Sequence, residues 1–454
     1  MDIAISKGTF TRKVGDDVFF YNPQSGASIV INDGSVLYNL ITKQLKPLNC
    51  VFEDIAKYYN VTVEVVKSDF SNIINEMICE GMIDTSEVNH KKEGAKFASC
   101  VKRNKPDDIK EDPISKFYRE RHLPRALHID VTSNCNERCI HCYLSNHKPE
   151  YLSFRNIEKV LTEFRELQGL TVYISGGECM THPDFYRILL KCKKLDLNIV
   201  ILSNLTLCDS TMIKLLKEIN PQYINVSLYS MSSAEHDKIT TVPGSWEKTM
   251  NAILKCENAG IAIRIATPLL KINRHAFPAL KEFADKHNMH MVPDFGIIAK
   301  NDHDKSNLQH TCSALELKDT LLENKTLFDM EWSKVCRDDP DATLCDIGVF
   351  RIHINSTGDF YPCPSMHGYV IGNINHDSLK DVWNGERLQY LRNIRLKDLK
   401  QCVNCAHRNF CEPCLAYNFN ATGDIFKTIP NRCETATIVH CVYGTSSERR
   451  KVKC

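Results

Sequence analysis

Between residues 125 and 300, short apolar runs alternate with longer amphipathic stretches. LHIDVT is followed by FRNIEKVLTEFRELQG, TVYIS by DFYRILLKCKK, NIVILSN by TMIKLLKEI, YINVSLY by WEKTMNAILKCENAG and IAIRIAT by FPALKEFADKH, before a last run, MVPDFGII. Short β-branched runs read as buried strands, and a 3.6-residue apolar period reads as helix. Six such strands predict a parallel α/β sheet, either open and doubly wound or rolled into a full or partial β/α barrel. In all of these, reactive groups gather beyond the carboxyl ends of the strands.

The preceding text has a different rhythm. VFFY and ASIVI flank the turn-forming NPQSG and predict a hairpin. Three helical patterns follow, SVLYNLITKQL, FEDIAKYYN and VVKSDFSNIINEMICEGMI. In the last, Val66, Phe70, Ile73, Ile74 and Met77 recur at helical spacing and Gly81 marks the end. Strands followed by three helices fit a winged-helix module over residues 1–88. Residues 89–124 are charged and aperiodic (HKKEGAK, RNKPDDIKEDP) and read as a linker. A bridging region, 301–344, leads to 345–454, where short loops dense in cysteine suggest a domain built around metal.

Composition narrows the class. The 454 residues allow about three domains. With 57 Lys+Arg against 56 Asp+Glu, the net charge of +1 gives no argument for nucleic acid or an anionic membrane as partner. The amino terminus carries no secretory pattern and no apolar run is long enough to span a bilayer, so the chain reads as cytoplasmic. Twenty-one cysteines in a reducing compartment point to metal rather than disulfides.

The chemistry concentrates in NCNERCIHCYL, where Cys135, Cys139 and Cys142 occupy eight residues directly after the first predicted strand. Zinc and ordinary iron-sulfur clusters take four protein ligands, so three thiols either recruit a distant ligand or leave a coordination position open. Three readings stand: a four-iron cluster with one open iron, a zinc completed by His141 or a distant residue, or unrelated buried thiols. Gly176, Gly177 and Glu178 follow the second strand and fall on the same sheet end. A second group comprises Cys345, Cys363, Cys402, Cys405, Cys411, Cys414 and Cys433. Cys192 and Cys256 fall on helical patterns and read as small buried hydrophobes. The histidines form no i,i+4 ligand pattern.

The C-x3-C-x2-C run after a first strand resembles the signature of the radical S-adenosylmethionine (SAM) superfamily. That resemblance implies a partial (β/α)6 TIM-like barrel, a [4Fe-4S] cluster on Cys135, Cys139 and Cys142, and SAM on the open iron, cleaved to a 5′-deoxyadenosyl radical. It further implies SAM contacts from Gly176, Gly177, Glu178, Ser203, Asn204 and Ser227. Many relatives carry His-Asp-x-x-Arg after the fourth strand, whereas this chain reads His236-Asp237-Lys238-Ile239-Thr240. Arg264 is the expected substitute for the missing cation, with a structural arginine on a barrel strand as the alternative.

The carboxy-terminal cysteines resemble the SPASM extension, which holds two auxiliary [4Fe-4S] clusters. By resemblance, Cys402, Cys405, Cys411 and Cys433 hold the outer cluster. Cys345, Cys363 and Cys414 hold the inner one, with Cys336 a candidate fourth ligand. If Cys336 does not reach, an open iron is left for a substrate thiolate. The family pattern has three residues between the last two thiols of the quartet, and here Glu412 and Pro413 make two.

The amino-terminal module resembles the RiPP recognition element, which binds leader peptides of ribosomally made, post-translationally modified peptides. Together these resemblances imply a radical SAM peptide maturase similar to sactisynthases and ranthipeptide synthases. Its expected substrate is a precursor peptide with a leader, its product a cysteine thioether, and its electron donor a flavodoxin or ferredoxin, with no nucleic acid or membrane partner. The alternatives are an anaerobic maturase oxidising Cys or Ser of a target protein, a carbon-carbon cross-linking enzyme, and a metal-containing, redox-sensing DNA-binding regulator.

Overall fold

The structure is a computed structural model that describes residues 1–42, 45–86, 112–145, 147–328 and 339–444. Six parallel strands lie side by side in chain order: Ala126–Asp130, Thr171–Ser175, Asn198–Ser203, Tyr223–Ser227, Ile263–Pro268 and His290–Asp294. They coincide with the six predicted runs. The intervening helices Phe154–Glu166, Phe185–Lys194, Ser210–Ile219, Ser245–Asn258 and Phe277–Lys286 cover one face. Side chains alternate along a strand, so Leu127, Ile129, Val172, Ile174, Ile201, Ile224 and Ile265 pack outward under these helices, in one core. The opposite, inner face carries His128, Asp130, Tyr173 and Tyr223, a polar lining suited to a cavity. The edges do not meet, so the barrel is partial.

The carboxy-terminal region is more ordered than its loops suggested. Arg351–Ile354 pairs in parallel with Ala126–Asp130, extending the barrel sheet beyond its first strand, and Asp359–Tyr361 and Gly372–Asn373 continue it antiparallel. These strands have two to four residues, too few for a local period to reveal them. Ile352, Ile354 and Phe360 join the main core, so this domain is fastened by apolar burial as well as by its cysteines.

At the other end, Phe10–Val14, Asp17–Tyr21 and Ser28–Ile31 form an antiparallel sheet that contains the predicted hairpin. Helices Ser35–Ile41, Leu48–Tyr59 and Val63–Cys79 follow, and Asp2–Ile5 closes the module against Ile83–Thr85. Val18 and Phe20 face its own helices, while Phe19 and Tyr21 face the barrel.

The predicted linker requires a correction: Pro113–Glu120 is a helix, capped by the Asp112 side chain on the Ile114 and Ser115 amides. Ile114, Phe117 and Tyr118, at i, i+3 and i+4, bury against Phe19, Tyr21 and Leu170. Three apolar residues among charges were too few to disclose it. Beside it, the fully buried Arg12 donates from Nε to Gly169 O (2.9 Å) and from its terminal nitrogens to Asp196 O (2.6 Å) and Oδ2 (2.9 Å). Tyr118 Oη donates to Gln168 O (2.7 Å). These acceptors precede barrel strands, so the amino-terminal module docks on the barrel floor, opposite the cysteine loop. Among the described residues, no helix is long and apolar enough to cross a membrane.

Candidate active site and cluster loops

The loop after the first barrel strand is held along its length. Thr132 Oγ1 donates to Glu150 O (2.7 Å), Ser133 Oγ donates to Lys148 O (2.7 Å) and the Asn134 amide donates to Thr132 Oγ1 (2.9 Å). The Arg138 and Ile140 amides donate to Thr240 O (3.0 Å) and Ile239 O (2.9 Å). From the bridging region, Asn307 Nδ2 donates to the carbonyls of His141 and Cys142 (both 3.3 Å), and the Asn301 amide to Tyr143 O (2.8 Å). The sequence offered no signal for either asparagine. The three thiols are thus presented by a backbone that is already hydrogen-bonded.

Burial pushes the Cys135 thiol up to about 12, and raises Cys139 and Cys142 as well. Thiols desolvated in this way ionise readily only beside a cation such as a metal ion. Cys139 Sγ lies 3.6 Å from Glu137 Oε2 and 3.7 Å from Tyr229 Oη. A single zinc with bonds of about 2.3 Å holds its sulfurs roughly 3.8 Å apart. The triad does not close to that spacing: among the described residues, the one group of three candidate donors within 4.8 Å of one another is His128, Asp130 and His353.

The glycine pair packs two loops together. A Cβ on Gly176, where φ is 138°, would lie 2.2 Å from Thr132 O, and one on Gly177 would lie 2.4 Å from Asn134 O. The Gly177 and Glu178 amides donate to those same two oxygens, each at 2.8 Å. The glycines therefore let the second loop lie against the cysteine loop. Glu178 is fully buried; its carboxylate accepts from the Met180 amide (3.0 Å), Ser203 Oγ (2.8 Å) and the Asn204 amide (2.7 Å). Both oxygens are engaged within the protein, so Glu178 ties the glycine turn to the third strand. Asn204 Nδ2 reaches Asn136 Oδ1 (2.9 Å), linking that strand back to the cysteine loop. Ser227 lies beside the hydroxyl of Tyr229, which touches Cys139.

Arg264 is placed elsewhere. Its Nη1 donates to Tyr223 Oη (3.2 Å) and its guanidinium lies 5.2 Å from that ring, toward the start of the strands and away from the loop end. The structural alternative describes this arginine, not the substitute cation. In the His236-Asp237 stretch, Asp237 accepts from Gly244, Ser245 and Trp246 and so starts the next long helix.

In the carboxy-terminal domain, burial pushes Cys345 up to about 11 and Cys363 up to about 12, and the nearby Cys414 raises both further. These three form one neighbourhood. Cys405 lies one turn beyond Cys402, whose carbonyl accepts from its amide (3.0 Å). Cys411 follows the Arg408–Phe410 turn, which packs on the Pro430–Tyr443 helix carrying Cys433. Cys336 lies outside the described residues.

Comparison with known proteins agrees with this geometry. Residues 129–284 match the radical SAM superfamily and residues 345–406 an iron-sulfur cluster-binding (SPASM) domain. The chain thus carries a radical SAM domain, the kind that binds SAM and a [4Fe-4S] cluster, followed by a SPASM domain, the kind that binds auxiliary iron-sulfur clusters. It is 26% identical over 316 residues to the antilisterial bacteriocin subtilosin biosynthesis protein AlbA of Bacillus subtilis, covering 66% of this chain and 69% of that one. It is 23% identical over 358 residues to an AdoMet-dependent heme synthase of Methanosarcina barkeri, covering 71% and 97%. Its fold resembles Streptococcus suis SuiB bound to the precursor peptide SuiA, with a TM-score of 0.62, 16% identity, and coverage of 95% of this chain and 100% of the other.

Proposed function

We propose that this enzyme oxidatively cross-links a ribosomally made precursor peptide, forming a cysteine thioether, with the leader held by the amino-terminal module. The observation that carries this reading is the module itself. The heme synthase is matched over almost its whole length by 71% of this chain, leaving the remainder without a counterpart, whereas the SuiB fold spans 95% of it. AlbA, a bacteriocin biosynthesis protein, and SuiB, seen with its precursor peptide, both belong with peptide substrates.

In this reading Cys135, Cys139 and Cys142 hold the SAM cluster. That group, when bound, supplies hydrogen-atom abstraction from an unactivated carbon. Cys345, Cys363 and Cys414 belong to an inner auxiliary cluster, and Cys402, Cys405, Cys411 and Cys433 to an outer one. The protein's own part is to fix the cysteine loop through Thr132, Asn301 and Asn307, and to bring the peptide near. Among the described residues Ser28–Ile31 is an edge strand, and that edge can accept a leader as an added strand. Because the module sits on the barrel floor, the peptide runs up past strands of five or six residues, roughly 20 Å, before it reaches the mouth. A flavodoxin or ferredoxin delivers the electron.

The test is anaerobic turnover with SAM, reductant and a cysteine-containing precursor peptide that carries a leader bound by the amino-terminal module. The expected result is 5′-deoxyadenosine together with a peptide lighter by two hydrogens and one fewer free thiol. The heme synthase relative favours a second reading, a tetrapyrrole substrate; porphyrin turnover without leader binding would establish it in place of the first.

A further inference from the structure

His128 and Asp130 are two residues apart on the first barrel strand and therefore face the same side. The parallel register sets His353 directly opposite His128. His353 Nε2 lies 3.0 Å from Asp130 Oδ2, and His128 Nε2 lies 3.4 Å from Asp130 Oδ1. The two imidazoles meet edge to face, 5.2 Å between centres. All three residues are more than nine-tenths buried.

We propose that His128, Asp130 and His353 form a binding site for one divalent first-row transition ion, separate from the cysteine clusters and open to a neighbouring cavity. Ligand atoms about 2.0–2.1 Å from a common ion lie roughly 3.0–3.4 Å apart; the two nitrogen-to-carboxylate distances fall in that range, and one donor atom from each residue lies within 4.8 Å of the others. The 3.4 Å contact is too long for a charge-assisted hydrogen bond, which takes about 2.7–2.9 Å. Asp130 Oδ1 accepts no hydrogen bond although it is buried, leaving an anionic oxygen that faces His128 Nε2 while His353 engages the carboxylate's other oxygen. Two imidazoles and one carboxylate suit zinc or ferrous iron better than calcium or magnesium.

Tyr143 Oη donates to Asp130 Oδ2 (3.3 Å), the kind of outer contact that orients a metal-bound carboxylate. Asp130, His353, Tyr143, Tyr361 and His367 line a cavity of about 140 Å³, room for water or a substrate group to complete the coordination. An ion there would polarise a substrate oxygen or thiol from the side of the barrel that faces the carboxy-terminal strands. This site does not depend on the peptide reading.

The test is anaerobic titration of the cluster-loaded, chelator-washed protein with Co²⁺, followed by Zn²⁺. One equivalent of Co²⁺ should bind with visible ligand-field bands and no thiolate charge-transfer band, and Zn²⁺ should displace it. Losing an outer partner costs about 10- to 100-fold in affinity, so loss of a ligand in His353→Gln or Asp130→Asn should cost at least about 100-fold. Unchanged iron content and an unchanged thermal transition will show that these variants fold, and His128→Gln provides a third arm if one does not. No cobalt uptake, a thiolate-type spectrum, or equal affinity in the folded variants would overturn the proposal and leave the trio as a structural hydrogen-bonded network.

Discussion

Gly177→Ala separates two explanations of the glycine pair. If the glycines serve approach to SAM, the variant keeps its cluster and loses nucleotide affinity. The structure argues otherwise, because the added methyl would lie 2.4 Å from Asn134 O and 2.7 Å from Ser133 O, both backbone atoms of the cysteine loop. Real Cβ contacts do not fall below 3.0 Å, so the loops must part by at least 0.6 Å (3.0 − 2.4). That movement strains the Gly177-to-Thr132 and Glu178-to-Asn134 hydrogen bonds, both 2.8 Å. Two such bonds contribute about 1 kcal/mol each and overpacking costs about 1–3 kcal/mol, so the native loop geometry is disfavoured by about 3–5 kcal/mol. Iron should fall by about four per chain on reconstitution, the content of one cubic cluster, while the auxiliary iron remains. The assay is anaerobic iron and sulfide analysis beside SAM binding. Full iron with only weakened SAM binding would refute the loop-to-loop role.

Three further outcomes are expected. Arg12→Ala removes the buried contacts to Gly169 and Asp196 and should destabilise docking of the amino-terminal module by about 2–4 kcal/mol, seen as faster amide exchange across Phe10–Tyr21; unchanged exchange would count against it. His236 is buried with its Nε2 unpartnered, and burial lowers it to about 4 from an unfolded value of about 6.5. The unfolded chain then binds more protons, so stability rises with pH across this window, and His236 accounts for a loss of about 2 kcal/mol from pH 7 to 5 that His236→Gln should abolish in denaturant titrations. Replacing Cys345, Cys363 and Cys414 together by alanine should remove about four irons and leave the other clusters, as should replacing Cys402, Cys405, Cys411 and Cys433; loss of about eight in either case would mean that the grouping is wrong.

The barrel and its cysteine loop were legible because both signals are local. Strand and helix periods repeat within ten or fifteen residues, and ligands three or four residues apart share one loop whatever the rest of the chain does. The same locality explains the misses. The Pro113–Glu120 helix declares itself only through what it packs against, and Arg351–Ile354 only through the strand it joins. The glycine pair stands out in the sequence, but the close approach of the Thr132 and Asn134 backbone, nearer than a side chain allows, does not. Arg264 was assigned from its place in the text, while its rotamer turned it toward Tyr223.

What the chain text determined by itself is the class of chemistry: three thiols at fixed spacing after a strand, a second set near the carboxyl end, and the alternating pattern that places the first set at a barrel mouth. Tertiary structure alone decided which groups share a cavity. His353 lies 223 residues from Asp130, and only the parallel register between two distant strands brings them to 3.0 Å. Such a contact depends on strand order and register, which no short window of sequence contains.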